Sequence, residues 1–152
     1  MLTVSLELPI AAPPERVWDA LTTQIGEWWP SDFLTTADAM QFEARLGGHL
    51  FEQDAAGNGA IWYTVYAIDT GVSIDLAGQL SPAYGGPVQS LLRLVLREHG
   101  DHTVLELTDA VIGNVGPNSS KSLSDGWRAI FGAGLTAFVE RGMGGTRTGL
   151  LA

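Results

Sequence analysis

Polar and apolar residues alternate strictly over residues 2–9, with Leu2, Val4, Leu6 and Leu8 facing one way and Thr3, Ser5 and Glu7 the other. A period of two marks a strand with one buried face. Residues 11–14 turn the chain, and the prolines there suit the first turn of a helix. The pattern predicts a helix over residues 13–23, with Val17, Trp18 and Leu21 as its buried stripe. Ile25 and Trp28 extend that stripe, and Gly26 interrupts it. Residues 25–33 read as a second short helical turn, ended by Pro30. Trp28 and Trp29 are adjacent, so on a helix they point ~100° apart. That predicts one core indole and one half-exposed indole, with an aromatic rim at a pocket mouth as the alternative.

Strand signals separated by turn residues come next. Residues 39–45 lead into a tight turn at Gly47 and Gly48, and residues 49–53 pair back. Residues 60–69 are apolar on both faces, so alternation leaves their inward side open. Residues 72–78 place Ile74 and Leu76 inward. Residues 89–98 place Leu92, Leu94 and Leu96 on one face and Arg93 and Arg97 on the other. After a turn at Gly100 and Asp101, residues 102–111 set Thr103, Leu105 and Leu107 against Val104, Glu106 and Thr108.

The last periodic stretch, residues 119–141, is a long amphipathic helix of ~34 Å. At ~100° per residue, Leu123, Trp127, Ile130, Phe131, Leu135 and Phe138 share one side. Lys121, Asp125, Arg128, Thr136 and Glu140 share the other. Ser119 and Ser120 are N-cap residues by type. Arg141 complements the dipole at the far end, and Gly142 suits a left-handed cap. Three interior glycines work against the helix at ~1 kcal/mol each. Gly132 projects to the polar side. Gly134 lies in the apolar face, where it allows either close packing against a bulky partner or a gap that forms a cavity wall.

The order is strand, two short helices, about six antiparallel strands, then one long helix. A single sheet has an apolar face that must be covered, and only the last helix is large enough to cover it. The fold class is therefore α+β: a curved antiparallel sheet of six to seven strands wrapped on a C-terminal helix. Residues 1–142 form one domain, and residues 143–152 lack periodicity and read as a mobile tail.

Composition narrows the partners. Of the 152 residues 45% are hydrophobic and the formal net charge is −9, which lacks the footprint for phosphate backbones, so no nucleic acid is expected. The chain has no cysteine, which removes disulfides, thiol catalysis and cysteine metal sites and fits the cytoplasm. The first residues carry no basic segment ahead of an apolar run, and no stretch reaches the ~20 apolar residues of a membrane span.

Several segments together carry a family resemblance. They are Ala12-Pro13-Pro14-Glu15-Arg16-Val17-Trp18-Asp19-Ala20-Leu21, Trp28-Trp29-Pro30, and residues 42–52 (FEARLGGHLFE). Trp62-Tyr63-Thr64-Val65, Thr108-Asp109 and Gly126-Trp127 come after them in order. Over residues 3–142 the chain resembles the SRPBCC superfamily, whose helix-grip fold is shared by START lipid-transfer domains and the birch-pollen allergen. It is most similar to the family named for the activator of the ninety-kilodalton heat-shock protein's ATPase. The resemblance implies the fold; for function it spans lipid carriers, aromatases and cyclases, resistance proteins and co-chaperones, so the site must be argued separately.

The candidate chemistry is sparse. His99 and His102 flank a turn and read as solvated. His49 shares a face with Phe51 and points into a cavity if Phe51 is core. Glu43, Glu52, Glu106 and Asp109 lie on strands, where a carboxylate inside an apolar cavity would be a general base; alternation turns Glu106 outward. No nucleophile elbow, phosphate loop or metal-ligand cluster is present in the sequence, and no cofactor is implied. Nothing compels an enzyme.

The reading that fits best is a binding module for a small hydrophobic or aromatic ligand between helix and sheet. Its helix wall is Trp127, Phe131, Gly134 and Phe138; its mouth is Trp28, Trp29 and Phe33. The sheet side is Trp62, Thr64, Tyr66 and Leu94, with His49 and Phe51 toward one end. The alternatives are a co-chaperone surface and a polyketide cyclase-like enzyme using His49 or a cavity carboxylate. An exposed Trp29 or the outer face of residues 60–69 would support a homodimer.

Overall fold

The structure, a computed structural model, describes residues 1–35, 39–81 and 86–143. β1 (Leu2–Ile10) leads into α1 (Pro14–Leu21) and α2 (Ile25–Trp28), then a 3₁₀ turn over Ser31–Phe33. β2 (Gln41–Phe42), β3 (His49–Gln53), β4 (Gly59–Asp69), β5 (Ser73–Leu80), β6 (Val88–His99) and β7 (His102–Gly113) complete the sheet. The C-terminal helix is built from α3 (Ser119–Trp127), a π-helical segment (Arg128–Thr136) and α4 (Ala137–Met143). The seven strands run β1-β7-β6-β5-β4-β3-β2, each pair antiparallel. This is the α+β helix-grip architecture. The tail expected from residue 143 lies, from residue 144 onward, outside the described residues, as do residues 82–85 of the β5–β6 loop.

Alternation does most of the work in the sheet. Leu6 pairs with Leu107, Leu107 with Leu94 and Leu94 with Ile74, so one inward row crosses four strands. All four side chains are buried. On the outer face Arg93 donates to both oxygens of Asp75 at 2.8 and 2.7 Å, and Arg97 pairs with Glu7 and Glu106.

Two register shifts decide β4, where alternation was silent. One lies opposite Leu50 and Phe51 and leaves Trp62 and Tyr63 both buried; the other, between Val65 and Ala67, leaves Tyr66 exposed. An extra residue in one strand of a pair bends it and increases twist, which here curves the sheet around the helix.

Several boundaries differ from expectation. The strand expected over residues 39–45 is only two residues long, because Glu43, Arg45 and Gly48 bond among themselves as a loop: Arg45 N donates to Glu43 O and Gly48 N to Arg45 O, both at 2.9 Å. Pro30 separates α2 from the 3₁₀ turn rather than ending a single turn, since α2 stops at Trp28. Trp28 and Trp29 are both buried, which corrects the expected half-exposed Trp29: the helix ends between them, and Trp29 leaves the helical conformation with ψ at 125°.

The long helix covers the predicted residues but runs on to Met143, so Gly142 lies inside it rather than forming a left-handed cap, and it is not α-helical throughout. Its cap position is Asn118, with no side-chain cap bond, and Ser119 Oγ instead accepts from Gly116 N at 2.8 Å. Ser119 and Ser120 are therefore not its N-caps. In the π segment Thr136 Oγ1 donates to Phe131 O, five residues back. Five-residue spacing puts an extra residue in the turn and rotates the rest of the helix. Val139 thereby joins Phe138 in the core, and Thr136 turns half inward. Gly132 also faces inward, its missing Cβ 3.9 Å from Leu8 Cδ2, rather than toward the polar side.

Candidate functional site

Where β4, β5, β6 and β7 pass under the helix, the interior is polar at one point. Asp109 on β7 has the same parity as Leu105 and Leu107, and Ser90 on β6 the same parity as Leu92, so alternation carries both inward. Tyr63 on β4 and Ser90 flank Gly78 of β5 in register. A Cβ at Gly78 would stand 2.8 Å from Tyr63 Cδ1. The absent side chain lets the phenol lie across β5 and reach Ser90.

The hydrogen bonds then have one direction. Trp127 Nε1 donates to Asp109 Oδ2 at 2.8 Å, and Ser90 Oγ donates to Oδ1 at 2.5 Å. With its single proton committed, Ser90 accepts from the Tyr63 hydroxyl at 2.7 Å. Asp109 is fully buried, and loss of water pushes its carboxyl above the ordinary range while the Ser90 and Trp127 bonds pull it back. Burial raises the Tyr63 phenol as well, and the nearby Asp109 charge adds to it.

A second buried carboxylate repeats the device. Glu52 on β3 shares parity with buried Leu50. It accepts Trp62 Nε1 at 2.8 Å on one oxygen and Thr35 N at 2.6 Å on the other. Trp28 and Trp29 find backbone acceptors, Ala20 O at 2.7 Å and Phe33 O at 3.0 Å. Satisfied N–H groups allow four indoles to pack into one cluster with Phe131, at ring separations of 5.6 to 6.3 Å.

Gly134 serves that cluster. A Cβ there would sit 3.3 Å from both Pro30 Cγ and Trp28 Cε3, so the helix lies directly on the Trp28–Pro30 chain. Of the two readings of this glycine, the geometry is that of close packing.

Open volume lies at the other end of the helix. A cleft of about 380 Å³ runs between its first turn and the ends of β5, β6 and β7, floored by Leu80, Val88, Val111 and Leu123. Asn114, Asn118, Ser119 and Ser122 line it with uncharged polar groups. It adjoins an apolar gap of about 80 Å³ that shares Leu80, Ser122 and Leu123 and is walled by Phe33, Trp62, Trp127 and Ile130. Among the described residues lining either space none is ionisable.

The structure divides the predicted ligand-binding residues into three groups. Phe33, Trp62 and Trp127 line the gap. Trp28, Trp29, Leu94, Phe131, Gly134 and Phe138 lie in the packed interior, where Phe138 also meets the Arg16 guanidinium at 5.2 Å. His49, Phe51, Thr64 and Tyr66 lie on the sheet's outer face: Leu50 and Glu52 are the inward pair on β3, and His49 Nδ1 meets Thr64 Oγ1 at 3.1 Å. His49 and Phe51 border a separate outer cleft of about 400 Å³ with Glu43 and Ile61. The condition that Phe51 be core is not met, so His49 does not enter the interior.

Sequence reading missed Leu80, Val88, Val111, Asn114 and Val115, because a cleft at strand ends has no periodic signature. It also missed the Tyr63–Ser90–Asp109–Trp127 chain, although parity alone placed Asp109 and Ser90 inward.

A curved antiparallel sheet gripping one long helix, open at the helix N-terminus, defines a helix-grip protein of the SRPBCC type. Within that class residues 11–140 match the family described as activator of Hsp90 ATPase homolog 1-like protein, and the chain belongs to this family. Solved structures of the same fold include a protein of Mesorhizobium loti, 22% identical with a TM-score of 0.67, covering 92% of this chain and 98% of that one. The Aha1 dimer from Colwellia psychrerythraea is 15% identical at a TM-score of 0.66, covering 92% and 97%. CalU16 from Micromonospora echinospora is 20% identical at 0.62, covering 90% and 73%. No curated protein matches the sequence. Among the described residues no helix is long and apolar enough to cross a membrane.

Proposed function

We propose that the chain binds a small hydrophobic or aromatic molecule in the cleft between the start of the C-terminal helix and the ends of β5, β6 and β7. The observation that carries this is a pair of neighbouring spaces, about 380 Å³ of cleft and about 80 Å³ of gap, which share Leu80, Ser122 and Leu123 and have apolar walls with an uncharged polar rim among the described residues. Ligand sites are concave, mostly apolar and carry a few polar groups that set orientation. The apolar part of the ligand lies on Leu80, Val111 and Leu123 and reaches toward Trp127. The absence of ionisable groups among the described lining residues favours carriage or sensing over acid–base catalysis.

The test uses Nile red, a neutral dye that brightens in apolar surroundings. Saturable binding should quench tryptophan emission and be abolished by Gly126→Leu, whose side chain would project beside Phe33 into the gap. No saturable binding by the folded wild type, or undiminished binding by Gly126→Leu, sinks the reading.

Self-association through the outer face of β4 is a second reading, favoured by the exposure of Ile61 and Tyr66, 57% and 55%; burial of Trp29 removes the other route. Sedimentation should give a dimer that Tyr66→Glu dissociates, and a monomer at all concentrations would refute it.

A further inference from the structure

The β6–β7 hairpin closes on two histidines that the sequence pattern treats as separate solvated side chains. β6 runs to His99, Gly100 and Asp101 make a two-residue turn with Gly100 at φ 65°, and β7 starts at His102. His99 and His102 are partners in the register. Residues directly opposite in an antiparallel pair share a face, here the outer face that also carries Arg93 and Arg97. Their imidazoles meet edge to face with ring centres 5.0 Å apart. His102 Nδ1 lies 3.3 Å from Asp101 Oδ1. A carboxylate only accepts, so Nδ1 carries the proton and Nε2 keeps its lone pair. Among the described residues, neither ring nitrogen of His99 nor Nε2 of His102 has a hydrogen-bond partner.

We propose that His99 and His102 together hold a divalent transition-metal ion of the copper, nickel or zinc kind. A metal–imidazole bond of ~2.0–2.1 Å puts the ring centre ~3.2 Å from the ion. Two rings on one ion, at an angle between square and tetrahedral, then have centres ~4.5–5.2 Å apart. The separation of 5.0 Å falls inside that interval. Turning an imidazole about its Cβ–Cγ bond re-aims the nitrogens and barely moves the ring centre, so side-chain rotation alone can point both at one ion. A carboxylate on the other ring nitrogen is the usual outer partner of a ligating histidine; it fixes the tautomer and raises the basicity of the ligand. Glu98 and Asp101 flank the pair in sequence with negative charge, while Arg97 is taken up by Glu7 and Glu106. Among the described residues no group of three metal ligands occurs. Water therefore completes the coordination, and the ion is exchangeable rather than structural. The pair lies at the opposite end of β6 and β7 from the cleft, and its role does not depend on the cleft reading.

The experiment is calorimetric titration of Ni²⁺ into the untagged full chain at neutral pH, in a buffer that does not bind the ion. One ion per chain should bind saturably. With both histidines present the second bond is intramolecular, so His99→Ala and His102→Ala should each weaken binding at least ~tenfold. His49→Ala removes the one other histidine of the chain and should leave the affinity unchanged. Electron paramagnetic resonance of the Cu²⁺-loaded chain should show coupling to two ring nitrogens. Wild-type affinity in either hairpin variant, loss of binding in His49→Ala, or coupling to a single nitrogen overturns the inference, as does absence of saturable binding by the folded wild type.

Discussion

Trp127→Phe tests whether the helix is fastened to the sheet through Asp109. The indole is 4% exposed and its N–H lies 2.8 Å from Asp109 Oδ2. A hydrogen bond to a charged group is worth ~1.5–3 kcal/mol, and losing it leaves a buried carboxylate oxygen without its donor. The smaller ring also removes two buried carbons, roughly 1.5 kcal/mol at ~0.8 each. The expected loss is therefore ~3–4.5 kcal/mol, read from urea unfolding monitored by circular dichroism. At ~2–4 °C per kcal/mol for a chain of this size, melting should fall by roughly 6–18 °C. Size and bonding separate in a double-mutant cycle with Asp109→Ala. Removing both partners should cost ~2 kcal/mol less than the sum of the single losses, because neither is then left orphaned. A coupling below ~0.5 kcal/mol would refute the fastening and reduce Trp127 to apolar filler.

The same geometry sets three further outcomes. Because burial raises the Asp109 carboxyl in the folded state, the folded chain holds that proton more tightly than the unfolded one. The Asp109 contribution to stability is therefore full below the ordinary carboxylate range and is lost as pH rises through the raised value; in urea melts the advantage of wild type over Asp109→Asn should shrink across that window, and an advantage that grows with pH contradicts the assignment. The Tyr63 phenol, held above its ordinary range by burial and by Asp109, should not ionise until the chain unfolds, so Tyr63→Phe should leave the alkaline phenolate absorbance of the folded protein unchanged. Gly126→Ala should stabilise by ~0.5–1 kcal/mol, since among the described residues a Cβ there meets only Phe33, at 3.8 Å. Gly134→Ala should destabilise by ~1 kcal/mol against Pro30 and Trp28; equal effects in thermal melts would show that neither contact matters.

Local pattern was enough to place the elements with a clear period. β1, β5, β6 and β7 fell where alternation put them, with Ile74, Leu76, Leu92, Leu94, Leu105 and Leu107 inward. The helix face of Trp127, Ile130, Phe131, Leu135 and Phe138 is also the buried one. A strand or helix with one wet face writes its period into its own residues. The acidic balance and the family motifs were equally local.

Everything that depends on residues from different elements meeting came only with the folded chain. The register shifts in β4 put Trp62 and Tyr63 on the same side, and no count along that strand could have shown it. Burial of Trp29 results from the end of α2, and the π segment moved Val139 and Gly132 inward. Gly78 opens the way for Tyr63 to reach Ser90 across a strand, and Gly134 lets the helix settle on Pro30. The cleft is emptiness at strand ends, bounded by residues from three strands and a loop before the helix. Side chains can be read from a sequence one at a time; a volume exists only once the chain has closed around it.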